Sequence, residues 1–401
     1  MNQPVEENFW AKFNLLIILS SLVLSFLALK ISFQDKDIDF SNAGNMGALT
    51  TSVYSSQGNF SIHCTGNGGS IEECVEGSKS RNKNLNIVWF GNSQLYSVNL
   101  PERRENIAKD VWLDVKNINN KDINAIPILF NNLETKDIDL ITFAEENANP
   151  LEHYVIFEYV KRIIKPEMVI LPLVFDDFRE ANIRDHLLTY LEDTNTETAL
   201  LKSRIGKKLI NVNSSNGIDQ NYSDTAGIQG SIQQDVENKI NSWLSKKTDL
   251  WEVRPEMRGT LISELREFRN FIFRINSQTK RKMLPASYAD NISAVQAILE
   301  SAKKDNIAVL VYIAPFITEI ENPYVTEEYL SFKEEVEIIV NQYPNSNFYN
   351  LENLVPLPDW GVQESLDFNR DTQIDFMHFK TEGHRLLAKE MSLIIENFLD
   401  N

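Results

Sequence analysis

The sequence predicts an α/β protein built on an open, doubly wound parallel sheet and set behind an N-terminal membrane anchor. Two observations carry the sheet. From Leu85 onward, short apolar runs end in polar residues and alternate with stretches of helical periodicity, the pattern of strands joined by crossover helices. Most of those runs are continuous rather than alternating, as parallel strands covered on both faces require. A third observation carries the anchor. Phe13 to Leu29 contains no charged residue and reaches the lower limit of a bilayer span, roughly 17 residues.

Composition narrows the function classes. The chain has 401 residues with 57 acidic against 39 basic side chains, a net charge of −18. Nucleic-acid backbones are held by a surplus of Lys and Arg, so a nucleic-acid partner is disfavoured. With 42% hydrophobic residues a sizeable core is available, which excludes global disorder. Fifteen glycines and thirteen prolines exclude a collagen-like or linker-dominated chain.

The elements follow in order. Residues 1–33 read as an uncleaved anchor, because Glu6 and Glu7 spoil the basic start of a signal peptide and no small-residue cleavage site follows Ala28. Its apolar residues cover the whole helix circumference, unlike those of a surface helix. Residues 34–84 are rich in Ser, Asn and Gly and read as a polar stalk. They hold the only two cysteines, Cys64 and Cys74, whose proximity favours a local disulfide and hence an oxidising compartment outside the cytosol. One neighbouring histidine, His63, does not complete a zinc set.

Residues 85–401 read as the α/β domain. Strands are expected at 86–90, 138–144, 168–175, 307–314 and 347–350, and helices at 151–164, 292–304 and 327–340. A terminal helix is marked by Leu387, Met391, Ile394, Ile395 and Phe398 at helical spacing. Residues 193–255 interrupt this alternation as a polar, turn-rich insertion.

In such a sheet, chemistry gathers at the carboxyl ends of strands. Gly91-Asn92-Ser93-Gln94 follows the first one. A serine there can present its hydroxyl at a helix start, where free N–H groups stabilise developing negative charge. An N-cap serine has the same placement. Far downstream, Asp375-Phe376-Met377-His378 precedes Gly383-His384. A carboxylate beside an imidazole fixes its tautomer and supports its protonated form, which is what a serine-activating base needs. His384 reads as structural or solvent-facing. The two histidines lack the helical i, i+4 spacing of a metal pair, so no metal and no cofactor is expected.

In this order and at these ends of the chain, the two blocks resemble the SGNH or GDSL-like hydrolase family over about residues 85–399. Gly91-Asn92-Ser93 matches the nucleophile block, with Asn92 where the family more often has Asp, and Asp375-x-x-His378 matches the acid and base block. The resemblance implies a flavodoxin-like doubly wound sheet and a catalytic set of Ser93, His378 and Asp375. The anchor and insertion resemble the accessory proteins of D-alanine transfer and alginate O-acetylation. That likeness implies a single-pass envelope protein with its domain periplasmic or extracellular, acting on an acylated glycan or polymer beside a multi-span membrane acyltransferase. The middle blocks depart from the pattern. Val174-Phe175-Asp176-Asp177 stands where the family has an oxyanion-hole asparagine, leaving the Ser93 N–H, Asn149 or a protonated Asp176 to serve. Arg179 and Arg184 are candidates to clamp an anionic group on a glycan, although Arg184 also has the spacing to pair with Glu180 on a solvated helix. A glycosidase pair from Asp176 and Asp177 is disfavoured, since strand neighbours face opposite sides. The alternative to an esterase or acyltransferase is an inactive member of the fold that binds glycan or scaffolds the acyltransferase.

Overall fold

The computed structural model describes residues 71–81, 83–99, 124–134, 136–145, 147–216, 277–364 and 372–399. The expected anchor, Cys64 and most of the insertion lie outside them. Among the described residues, no helix is long and apolar enough to cross a membrane.

Five strands, β1 (Leu85–Gly91), β2 (Ile138–Ala144), β3 (Met168–Leu173), β4 (Ala308–Ile313) and β5 (Ser346–Asn350), form one parallel sheet. Its order is β2-β1-β3-β4-β5, the flavodoxin-like arrangement. The apolar runs account for it. Every residue of β3 and of the edge strand β2 is buried, while the opposite edge strand β5 is half exposed, so the continuous apolar runs fall on strands covered on both faces. From β1 the chain first moves outward to β2 through α3 (Ala125–Glu134). It then doubles back and moves the other way through α4 (Pro150–Ile164), α8 (Pro285–Lys304) and α9 (Thr326–Val340). Right-handed crossovers therefore put α3 on one face and α4, α8 and α9 on the other. The terminal helix α10 (Thr381–Leu399) packs against α3, and α4 against α8.

Several elements differ from the sequence reading. Within the expected stalk, α1 (Ile71–Arg81) belongs to the domain: Ile71, Cys74 and Val75 are buried in the core. Its far end is tied down as well. Ser78 donates to Asp139, a fully buried residue of β2, at 2.6 Å, and Arg81 pairs with the same carboxylate. Cys74 is disulfide-bonded. The third strand stops at Leu173 instead of Phe175, because the chain tightens into a 3₁₀ turn over Phe175–Arg179, with the Asp177 N–H bonded to the Val174 carbonyl. Three short helices, α5 (Asp185–Leu191), α6 (Thr194–Leu200) and α7 (Arg204–Asn216), occupy the β3 to β4 crossover. The last two lie where the polar insertion was expected. The α6 stretch is polar throughout except at its end and is started by Asp193, whose carboxylate caps Thr196.

A two-stranded antiparallel ribbon, β6 (Trp360–Glu364) and β7 (Thr372–Phe379), precedes α10. Asp375 and His378 stand on β7. The pairing explains their behaviour. Val362 pairs with Ile374 and Trp360 with Phe379, so the short β6 step faces a longer stretch of β7, which bulges out over residues 375–378.

Candidate active site

The first side chain is placed by a turn at the end of β1. Gly91 is followed by the one-turn helix α2 (Ser93–Tyr96), and Asn92 caps it by accepting the Gln94 N–H on Oδ1 at 2.9 Å. A Cβ at Gly91 would lie 2.1 Å from Leu95 Cδ1, so a side chain there would displace the buried Leu95 of α2. Among the described residues, the Ser93 backbone N–H has no acceptor, as expected of a first-turn amide.

The second pair comes from the β7 bulge. On a regular strand, residues three apart face opposite sides. Here Asp375 Oδ1 accepts the N–H groups of Met377 and His378, at 2.9 and 3.1 Å, which folds the strand around the carboxylate. The His378 ring then returns to Asp375, with Nδ1 2.9 Å from Oδ2, and its Nε2 lies 3.0 Å from Ser93 Oγ. An ionised carboxylate only accepts, so Nδ1 carries the proton and Nε2 is left as acceptor for the serine hydroxyl. Burial alone would push the Asp375 carboxyl up. The charge and ring hydrogen bond of His378, with the two N–H bonds, outweigh burial and hold it below the usual carboxylate range.

Sequence reasoning missed the groups that brace this arrangement. Asn99 donates to Asp375 Oδ2 at 3.3 Å and to the Val362 carbonyl at 2.9 Å. It reaches them only because residue 361 is glycine, where a Cβ would sit 2.1 Å from the Asn99 Cγ. Asp177 is buried and accepts from the Asn92 side chain at 2.6 Å. Burial pushes the Asp177 carboxyl well above its ordinary range, against the lowering effect of that hydrogen bond. Asn92 thus serves twice, donating its amide to Asp177 while its Oδ1 caps α2. Gln94 fixes the remaining side by donating to the Pro315 carbonyl after β4, at 3.1 Å. Ser93 therefore stands beside β3, at the point where the strand order reverses, which is where open α/β sheets place their ligands.

The other expected site residues are engaged elsewhere. Asn149 caps α4: its Oδ1 accepts the Glu152 N–H at 3.1 Å and its Nδ2 donates to the Asn182 carbonyl at 2.9 Å, so its hydrogen bonds serve the helix and not Ser93. Asp176 is bound between Arg179 and Arg281, one oxygen to each guanidinium, so its oxygens are committed there and not to an oxyanion beside Ser93. Asp176 and Asp177 lie on the 3₁₀ turn rather than on a strand, and these separate commitments remove the basis of a glycosidase pair. Arg184 pairs with Glu145 at 2.6 Å and Glu152 at 2.9 Å instead of Glu180. Burial and the neighbouring Glu145 push Glu152 up to about 7, despite Arg184. His384 is fully buried. Its Nδ1 accepts the Ala125 N–H, so Nε2 donates to the Ser97 carbonyl, and burial brings its pKa down to about 3.

No family model and no curated protein matches the chain. Among solved structures, it is similar to a putative acylhydrolase from Bacteroides fragilis, at 10% identity and a TM-score of 0.34, over 82% of this chain and 96% of the other. It is similar too to a family two carbohydrate esterase from Clostridium thermocellum in complex with cellohexaose, again at 10% identity and 0.34, over 79% of this chain and 65% of that one. At that level of likeness, any assignment rests on the site's own geometry.

Proposed function

We propose that the protein is a serine esterase or O-acyltransferase, and the observation that carries this reading is the continuous chain Asp375–His378–Ser93 at 2.9 and 3.0 Å. Ser93 Oγ attacks the ester carbonyl while its proton passes to His378 Nε2. Asp375 keeps the ring oriented and supports its positive charge. Negative charge on the carbonyl oxygen develops beside the Ser93 N–H. His378 then gives its proton to the departing alkoxide, leaving an acyl-serine. Water or a second hydroxyl attacks that acyl group, loses its proton to His378, and releases the acid or a new ester as the proton returns to Ser93.

The substrate setting is proposed on sequence grounds. An anchor at Phe13–Leu29 and the family resemblance support an envelope location, an acylated glycan or polymer as substrate, and a membrane acyltransferase as partner. The reading of an inactive binding protein has one observation in its favour: the side-chain amides of Asn92, Gln94 and Asn149 are all engaged. Hydrolysis of 4-nitrophenyl acetate separates the two. The enzyme reading expects turnover that falls to background in Ser93→Ala; no turnover by folded wild-type protein favours the binder.

A further inference from the structure

We propose that Arg179 and Arg281 form a subsite for an anionic group, a carboxylate or a phosphate, carried by the acylated substrate; the inference takes its substrate from the esterase reading above. Both guanidiniums are fixed. Arg179 donates through Nη1 to Asp176 at 2.9 Å and through Nε to the Lys282 carbonyl at 3.1 Å. Arg281 places its Nη1 2.5 Å from the other oxygen of Asp176. Its backbone is held too, with its N–H bonded to the Pro323 carbonyl at 2.6 Å and a bridge to Tyr324.

One carboxylate cannot neutralise two guanidiniums, so this pair keeps a surplus positive charge in a chain whose net charge is −18. Among the described residues, Glu180 forms no ion pair with either arginine, and Lys280 beside Arg281 pairs with Glu321. Both arginine side chains remain open to solvent, at 30% and 29% exposure. Among the described residues, Arg179 Nη2 and Arg281 Nε and Nη2 have no acceptor. Planar forks held in place with unused N–H groups suit the paired oxygens of a carboxylate or phosphate.

Their position relates them to the chemistry. Asp176 directly precedes Asp177, whose carboxylate is 2.6 Å from the Asn92 amide, and Asn92 directly precedes Ser93. Arg184, the other arginine considered from sequence, places its Nη1 on Glu145 and its Nη2 on Glu152, so two carboxylates face its one guanidinium.

The test is equilibrium binding to the full chain carrying Ser93→Ala, by titration calorimetry with trigalacturonate, tripolyphosphate and the neutral maltotriose. At least one anion is expected to bind ten times more tightly than maltotriose and to weaken as salt is raised. The tighter of the two anions distinguishes carboxylate from phosphate recognition. Arg179→Gln and Arg281→Gln should each weaken that binding about tenfold. Arg281→Lys, which keeps a charge beside Asp176 and guards against a folding defect, should weaken it at least threefold. Equal binding of maltotriose and both anions, or anion affinity unchanged in all three variants, would overturn the proposal. Turnover does not enter the measurement, so a protein without esterase activity still gives a readable answer.

Discussion

At the residue scale, the contact between Asn92 and Asp177 offers the sharpest perturbation of the site. Asn92→Asp removes the amide that donates to the buried Asp177 and should lower kcat/KM at least tenfold by disturbing the cap that aims Ser93. The double variant Asn92→Asp/Asp177→Asn restores a donor and an acceptor and should recover most of the loss. A pair that merely filled space would show no such rescue. Asp375→Asn tests the other end. An amide no longer enforces the Nδ1–H tautomer of His378, so kcat should fall on the order of 10⁴-fold with KM little changed. The proposed catalytic residues were legible because a serine after a strand and an Asp-x-x-His before a helix are local patterns. Asn99, Asp177 and Arg281 were not, since each acquires its role from a partner far away in sequence, and no periodicity marks such a residue.

At the scale of elements, α10 is docked through His384, whose ring bridges Ala125 on α3 and the Ser97 carbonyl after α2. Burial lowers its pKa to about 3 from the ordinary imidazole value of 6.5. The folded protein therefore refuses a proton that the unfolded chain accepts, and stability is lost as pH falls from 6.5 toward 3. Between pH 7 and pH 5 this amounts to about 2 kcal/mol. In His384→Asn, urea unfolding should show lower stability at pH 7 and a drop to pH 5 smaller by that amount; an unchanged drop would exclude the imidazole as its source. The helix α1 makes a second case. Arg81→Met leaves Asp139 buried with only Ser78, and should cost about 3 kcal/mol in urea unfolding at pH 7. The inner strands were readable from their continuous apolar runs. The β6/β7 ribbon was not, because Asp375 bends β7 with its own side chain. The sequence of α1, whose apolar face is only Ile71, Cys74 and Val75 among small and charged residues, resembled the polar stretch before it.

At the scale of the whole molecule, the proposed nucleophile and base are 285 positions apart in sequence and meet only because the sheet and the ribbon are both complete. Loss of the site should therefore coincide with loss of the sheet: in a urea titration, active-site labelling and far-UV circular dichroism should share one midpoint. A labelling loss at clearly lower urea would mean that the ribbon detaches first. The most direct measurement of the central claim is intact-mass analysis after treatment with a fluorophosphonate, which phosphonylates a serine only when its hydroxyl is activated. One adduct per chain is predicted for the wild type and for Ser97→Ala, a buried neighbouring serine, and none for Ser93→Ala. A folded wild-type chain that takes up no probe, or a Ser93→Ala chain that is still labelled, would contradict it.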